Sequence, residues 1–107
     1  MNYKIYENKE ELKEQNPNLF EIANNNLEID DNDIIYIYNS PEDYAKYHIQ
    51  EGYYAETFVD EDLYDFIDYT KLGNDMIQRM SKEENYYDKE TNMVISLNKE
   101  RIKNHVH

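Results

Sequence analysis

The chain contains no cysteine and no tryptophan, only two glycines and two prolines, and few cations. Without cysteine there is no disulfide frame, no thiolate nucleophile and no zinc–thiolate cluster. Two glycines leave no glycine-rich loop to cradle a phosphate. No apolar run approaches the roughly 20 residues that span a bilayer. The opening MNYKIYENKEELKEQ is polar from its first residues, unlike a secretory leader. The expected location is the cytoplasm of a bacterial host, and no membrane partner is expected.

What is present is acid and tyrosine. The 107 residues include 24 Asp and Glu against 11 Lys and Arg, a formal net charge of −13 at pH 7. That exceeds what solubility requires and works against the compact state by self-repulsion. High charge with low hydropathy can mark a disordered chain. Here the apolar residues recur at helix and strand periods, and 12 tyrosines supply bulk for a core. One folded domain is expected.

The charge is unevenly distributed. Residues 28–68 hold thirteen acids against Lys46 alone, whereas residues 81–107 hold five acids and five bases. The negative field is therefore expected on one half of the chain.

Punctuation along the chain outlines the elements. Residues 9–15 read as a short charged helix stopped by Asn16-Pro17, followed by a turn at 19–23 and a loop at 24–26. DIIYIYN is rich in β-branched and aromatic residues and reads as a strand. In SPEDYAKYHIQEG, Ser40 is a helix N-cap with Pro41 at the first helical position. Glu42 and Asp43 suit the positive end of that helix, and Gly52 is placed to end it. Tyr44, Ala45, His48 and Ile49 form its inner stripe.

Asp60 is expected to cap a further helix with Leu63, Phe66, Ile67 and Thr70 on one face, the first three packed on the sheet. Glu61, Asp65 and Asp68 then share another face at i, i+4 and i+7. Past Gly73 the apolar direction shifts to a stripe of Leu72, Met76, Ile77 and Met80, which predicts a break there and a second short helix to about residue 81. NYYDKETNMVISLN reads as a hairpin turning at 89–92, and 99–107 as a frayed tail. The expected fold is α+β: a small antiparallel sheet with helices packed on one face and a strongly acidic surface. Residues 1–32 form a helical lead-in and 33–98 the core of a single domain.

Catalytic chemistry finds no support in the residues. A carboxylate dyad needs tuned pKa values, and Asp65 and Asp68 fall on the face opposite the apolar stripe. An EF-hand alignment starting at Asp31 puts Tyr36 where the loop needs glycine. His48, His105 and His107 lack further metal ligands, and no serine or threonine has a base nearby in sequence. No enzyme activity, cofactor or metal is expected.

The candidate site is instead the acid cluster itself: Asp60, Glu61, Asp62, Asp65, Asp68 and Asp75, with Glu42, Asp43, Glu51 and Glu56 beside them. Like charges at i, i+4 each cost a few tenths of a kcal/mol, which lysines would have relieved. Carboxylates at that spacing lie about 5–6 Å apart, and i to i+7 spans roughly 10 Å. DNA places one phosphate per about 3.4 Å along each strand, and the spacings of the acid face resemble those of successive phosphates on one strand. The expected partner is a DNA-binding protein with a cationic groove, and nucleic acid itself would be repelled. The alternative is an interaction module whose acids serve solvation and whose tyrosines form the contact. Self-association, if it occurs, is expected through the neutral C-terminal third as a homodimer.

The pieces IIYIYNS, YAKYHIQEG, LYDFIDYTKLGND and MVISL, in that order, resemble the C-terminal region of ArdA-type antirestriction proteins. The resemblance covers about residues 33–97 and centres on FIDY followed by LGND. It implies mimicry of bent B-form DNA and inhibition of restriction enzymes, chiefly type I, on behalf of phages and conjugative elements. Members of that family are elongated three-domain dimers. This chain has room for only the last domain with a helical lead-in, and a shorter mimic would cover fewer base pairs. The expected target is a restriction enzyme or a CRISPR effector.

Overall fold

The run Ile34-Ile35-Tyr36-Ile37-Tyr38 has bulk on both sides of its pleat, and that determines the architecture. A computed structural model describes residues 2–51 and 61–99, excepting the side chains of Glu61 and Asp62. β1 (Tyr3–Tyr6), β2 (Ile34–Tyr38), β3 (Asn85–Asp88) and β4 (Met93–Asn98) form one antiparallel sheet in the order β1-β2-β4-β3. Ile37 lies opposite Ile95 and Tyr38 opposite Val94 across the central pair. As expected, the fold is α+β, with Ile34–Tyr38 and the Met93 strand in one sheet, where they pair directly.

Helices cover both faces of the sheet, not one. α1 (Lys9–Gln15) and α2 (Pro17–Asn26) bring Leu12, Leu19 and Ala23 onto Ile35, Ile37, Ile95 and Leu97. On the other face, α3 (Pro41–Gln50) and α4 (Tyr69–Arg79) pack Tyr44, Tyr47, Met76 and Ile77 around Tyr38 and Val94. β2 alternates aliphatic and aromatic bulk and β4 buries Val94 on one face and Ile95 and Leu97 on the other, so each face needs its own cover. The residues expected as a lead-in supply one of those covers, and Tyr3–Tyr6 adds an edge strand that the sequence reading did not contain.

Local signals set the N-terminal helix boundaries. The Asn8 and Asn16 side chains accept hydrogen bonds from the Glu11 and Leu19 amides, so Asn16 ends α1 and caps α2. α2 continues through residues 24–26, where a loop was expected. Ser40 caps α3 in the expected way, accepting from the Asp43 amide at 3.1 Å while its hydroxyl donates to Asp43 Oδ2 at 2.9 Å. Pro41 occupies the first turn. α3 ends at its cap residue Glu51, and Gly52 lies outside the described residues.

The acidic segment departs furthest from expectation. Glu61–Phe66 is a 3-10 turn, not an α-helix. α4 starts at Tyr69, and Asp68 is its N-cap, accepting from the Lys71 amide at 3.1 Å. Leu63 and Phe66, expected against the sheet, are 51% and 84% exposed. Thr70 is also exposed. Ile67 packs with Ala45, Ile49 and Tyr69 between α3 and α4, away from the strands.

Nor does the chain break at Gly73. That glycine is buried inside α4, where a Cβ would meet the Pro41 carbonyl oxygen at 2.2 Å. Glycine is needed there for close approach of two helices, a role that a C-cap reading of Gly73-Asn74 overlooks. The expected stripe of Leu72, Met76, Ile77 and Met80 does face the interior, within one helix instead of two.

The hairpin forms as expected. Asn92 takes a left-handed conformation at φ 65°. Buried Asp88 holds the turn through the Thr91 hydroxyl at 2.6 Å and the Thr91 amide at 3.2 Å.

Candidate functional site

The described acids among those singled out from the sequence sit on α3, the 3-10 turn and α4 or at the caps of these helices. Glu42 and Asp43 occupy the first turn of α3, where their charge complements the helix dipole. Lys46 approaches Glu42 at 3.6 Å, and Asp43 belongs to the Ser40 cap. Glu51, at the other end, is exposed. Asp65 and Asp68 are exposed. Asp75 pairs with Arg79 at 3.2 Å. Glu56 and Asp60 lie outside the described residues, as do the side chains of Glu61 and Asp62.

The i, i+4, i+7 acid stripe does not form. A 3-10 turn advances about 120° per residue, and the chain leaves it before α4 begins, so residues 61, 65 and 68 share no helical face. Asp68 has a second duty as a cap. α3 packs on α4, with Gly73 against Pro41 bringing the first turn of α3 to the middle of α4.

Between these helices and the β2–β4 face lies a groove of about 730 Å³. Tyr36, Tyr38, Tyr47 and His48 line it from the sheet and α3, and Met76, Arg79 and Met80 from α4. Tyr36 and Tyr38 lie nearly parallel, 6.3 Å apart at 17°, and other rings meet edge-on: Tyr38 and Tyr44 centroids are 5.1 Å apart at 81°, Tyr44 and His48 4.5 Å apart at 74°. Burial holds the Tyr38 hydroxyl far above its ordinary value, and neighbouring tyrosines add to the shift. Burial, reinforced by Tyr36, pushes Tyr47 up to about 12. Burial lowers the pKa of His48, which favours the neutral ring.

A second polar cluster lies where β2 begins and β4 ends, beside the groove and outside the sequence-derived set. Asp33 is fully buried, and its Oδ2 accepts from Lys99 Nζ at 2.5 Å and from the Asp30 amide at 2.9 Å. Lys99 also reaches Asp30 Oδ2 at 3.1 Å and the Glu28 carbonyl at 3.2 Å. It therefore fastens the 28–33 loop to the end of β4, where the sequence suggested the start of a frayed tail. Residues 100–107 lie outside the described residues.

Among the described residues, no group of three His, Asp or Glu side chains is placed to hold a metal ion. No helix among them is long and apolar enough to cross a membrane. Comparisons with protein-family models, with curated proteins and with solved structures found no match.

Proposed function

We propose that the protein is a non-enzymatic inhibitor whose carboxylates occupy the cationic DNA-binding groove of a bacterial defence nuclease. The target is a type I restriction enzyme or a CRISPR effector, met in the host cytoplasm. The observation that carries this reading is charge: residues 28–68 hold thirteen acids and one lysine. Glu51, Asp65, Asp68 and Asp75 are exposed on the α3–α4 side of the sheet. Such a field steers a cationic protein toward the molecule and repels nucleic acid. The resemblance of residues 33–97 to ArdA-type proteins supports the same reading.

The broken helix changes how mimicry would work. A single α-helix with phosphate-like spacing is not available, so the carboxylates must act as a surface assembled from α3, the 3-10 turn and α4. Geometric match to one DNA strand is then looser, and electrostatic attraction carries more of the recognition.

A second reading draws on a specific observation. Phe66 is 84% exposed and Leu63 51% exposed, beside Asp65. Exposed apolar side chains rimmed by charge are a common form of protein contact. In that reading the protein is an interaction module that mimics nothing.

Salt and DNA competition separate the two. A purified type I restriction enzyme, and separately a Cas nuclease, are titrated with the protein at rising ionic strength, with and without unmodified duplex DNA. Mimicry predicts affinity that falls steeply with salt and is competed by the duplex. Binding insensitive to both favours the aromatic contact.

A further inference from the structure

The tyrosine groove presents aromatic faces in a chain whose net charge is −13. Tyr36 and Tyr47 are half-buried, with ring centroids 5.8 Å apart and planes tilted by 58°. Met76 and Met80 line the groove from α4, and Asp75 and Glu84 are its acids. The two cations on its border are already engaged. Arg79 Nε lies 3.2 Å from Asp75, and Lys99 is held by Asp30 and Asp33. His48, its pKa lowered by burial, adds little positive charge at neutral pH.

We propose that this groove receives the guanidinium or ammonium end of a basic side chain from the partner protein. A tyrosine face attracts a cation lying within about 6 Å of its centroid. The apolar stem of arginine or lysine suits methionine walls, which adapt their shape. The chain makes the same contact internally: Lys46 Nζ lies 5.6 Å from the Tyr69 centroid and Lys13 Nζ 5.7 Å from that of Phe20. A net charge of −13 draws a cation into the groove and disfavours an anion. A second copy of the chain fits less well, since it carries the same charge. The inference rests on the reading that the partner is a cation-rich protein, and it gives that partner a specific anchoring point.

The test uses the whole chain without any nuclease. Isotope-labelled protein is titrated with N-acetylarginine amide and with N-acetylcitrulline amide, its neutral twin, while backbone amide signals are followed. The arginine probe should shift Tyr36, Tyr47, Met76 and Ser96, and the citrulline probe should not. Tyr36→Leu should weaken arginine binding about five-fold, and Tyr36→Phe, which keeps the ring face, should leave it unchanged. If Tyr36→Leu fails to fold by near-ultraviolet circular dichroism, the contrast between the two probes in the parent decides. Equal shifts from both probes, shifts confined to Glu51, Asp65 and Asp68, or no shifts at all would overturn the site. Self-association that Tyr36→Phe preserves and Tyr36→Leu abolishes would assign the groove to a second copy instead. Failure of the inhibitor reading is seen separately, as nuclease activity undiminished by a protein whose groove still binds arginine.

Discussion

The carbonyl oxygen of Pro41 lies where a side chain on residue 73 would begin, 2.2 Å from the position of a Cβ on Gly73. This contact seats the first turn of α3 on the middle of α4. It also fixes how the acids of the two helices are arranged. Gly73→Ala should therefore destabilise the protein, although alanine is the better helix former by about 1 kcal/mol. Overpacking against backbone should outweigh that gain and give a net loss of about 1–3 kcal/mol in urea unfolding. Unchanged or increased stability would mean that the helices do not approach this closely.

Lys99 and Asp33 make the second test. Asp33 is fully buried, and Lys99 is its cationic partner. Lys99→Met leaves a buried carboxylate uncompensated and should cost about 3 kcal/mol. Adding Asp33→Asn removes that charge and should recover part of the loss. A double variant no more stable than Lys99→Met alone would show that the pair does not hold the loop.

Alkaline pH should unfold the chain cooperatively. Burial raises Tyr38, Tyr47 and Tyr3 above the ordinary tyrosine value. Burial opposes the charge of Lys99, but hydrogen bonds and charge from Asp33 and Asp30 outweigh it and raise that group too. Folded-state values above unfolded ones give stability that is complete below about pH 10 and lost as pH rises through the folded values. Tyrosinate absorbance and loss of ellipticity should thus rise together above about pH 10. His48 acts with the opposite sign. Its lowered value gives stability present above about pH 6.5 and lost as pH falls through the folded value. Full titration of the tyrosines in a chain that stays folded would contradict the buried cluster.

Parts of this architecture were legible because the signals are local. Ser40-Pro41 and Asn16-Pro17 mark helix starts by residues that act on their own neighbours. The hairpin around 89–92 is set by Asp88, Thr91 and Asn92 within five residues. Ile34–Tyr38 was legible as a strand, but its aromatic face was not recognised as a second surface needing cover. Tyr3–Tyr6 is four residues long with no flanking turn signal, so only its pairing with β2 defines it. Gly73 and Asp68 each carry two possible meanings. Gly73 can cap or can pack, and Asp68 can face solvent or can cap, and tertiary contact chooses between them. The acid residues of the candidate site were legible as types, whereas their relative placement was not.

Exposed Phe66 separates stability from contact. Phe66→Ser should leave thermal stability within about 0.5 kcal/mol of the parent, because the ring is 84% exposed. If the second reading holds, the same change should raise the dissociation rate from the target more than tenfold. A stability loss of several kcal/mol would mean that Phe66 is part of the core.

The most direct measurement of DNA mimicry pairs folding with nuclease protection. Glu51→Lys and Asp65→Lys reverse two exposed charges, and Asp68→Asn removes a third while keeping the side-chain acceptor that caps α4. The comparison variant carries Glu83→Lys and Glu90→Lys, exposed positions in the neutral third. Both should keep the parent circular dichroism spectrum. Protection of unmodified DNA from a type I restriction enzyme, or from a Cas nuclease, should collapse in the first variant through slower association and persist in the second. A folded first variant that protects DNA from the sensitive nuclease as well as the parent does would contradict inhibition by this acidic surface.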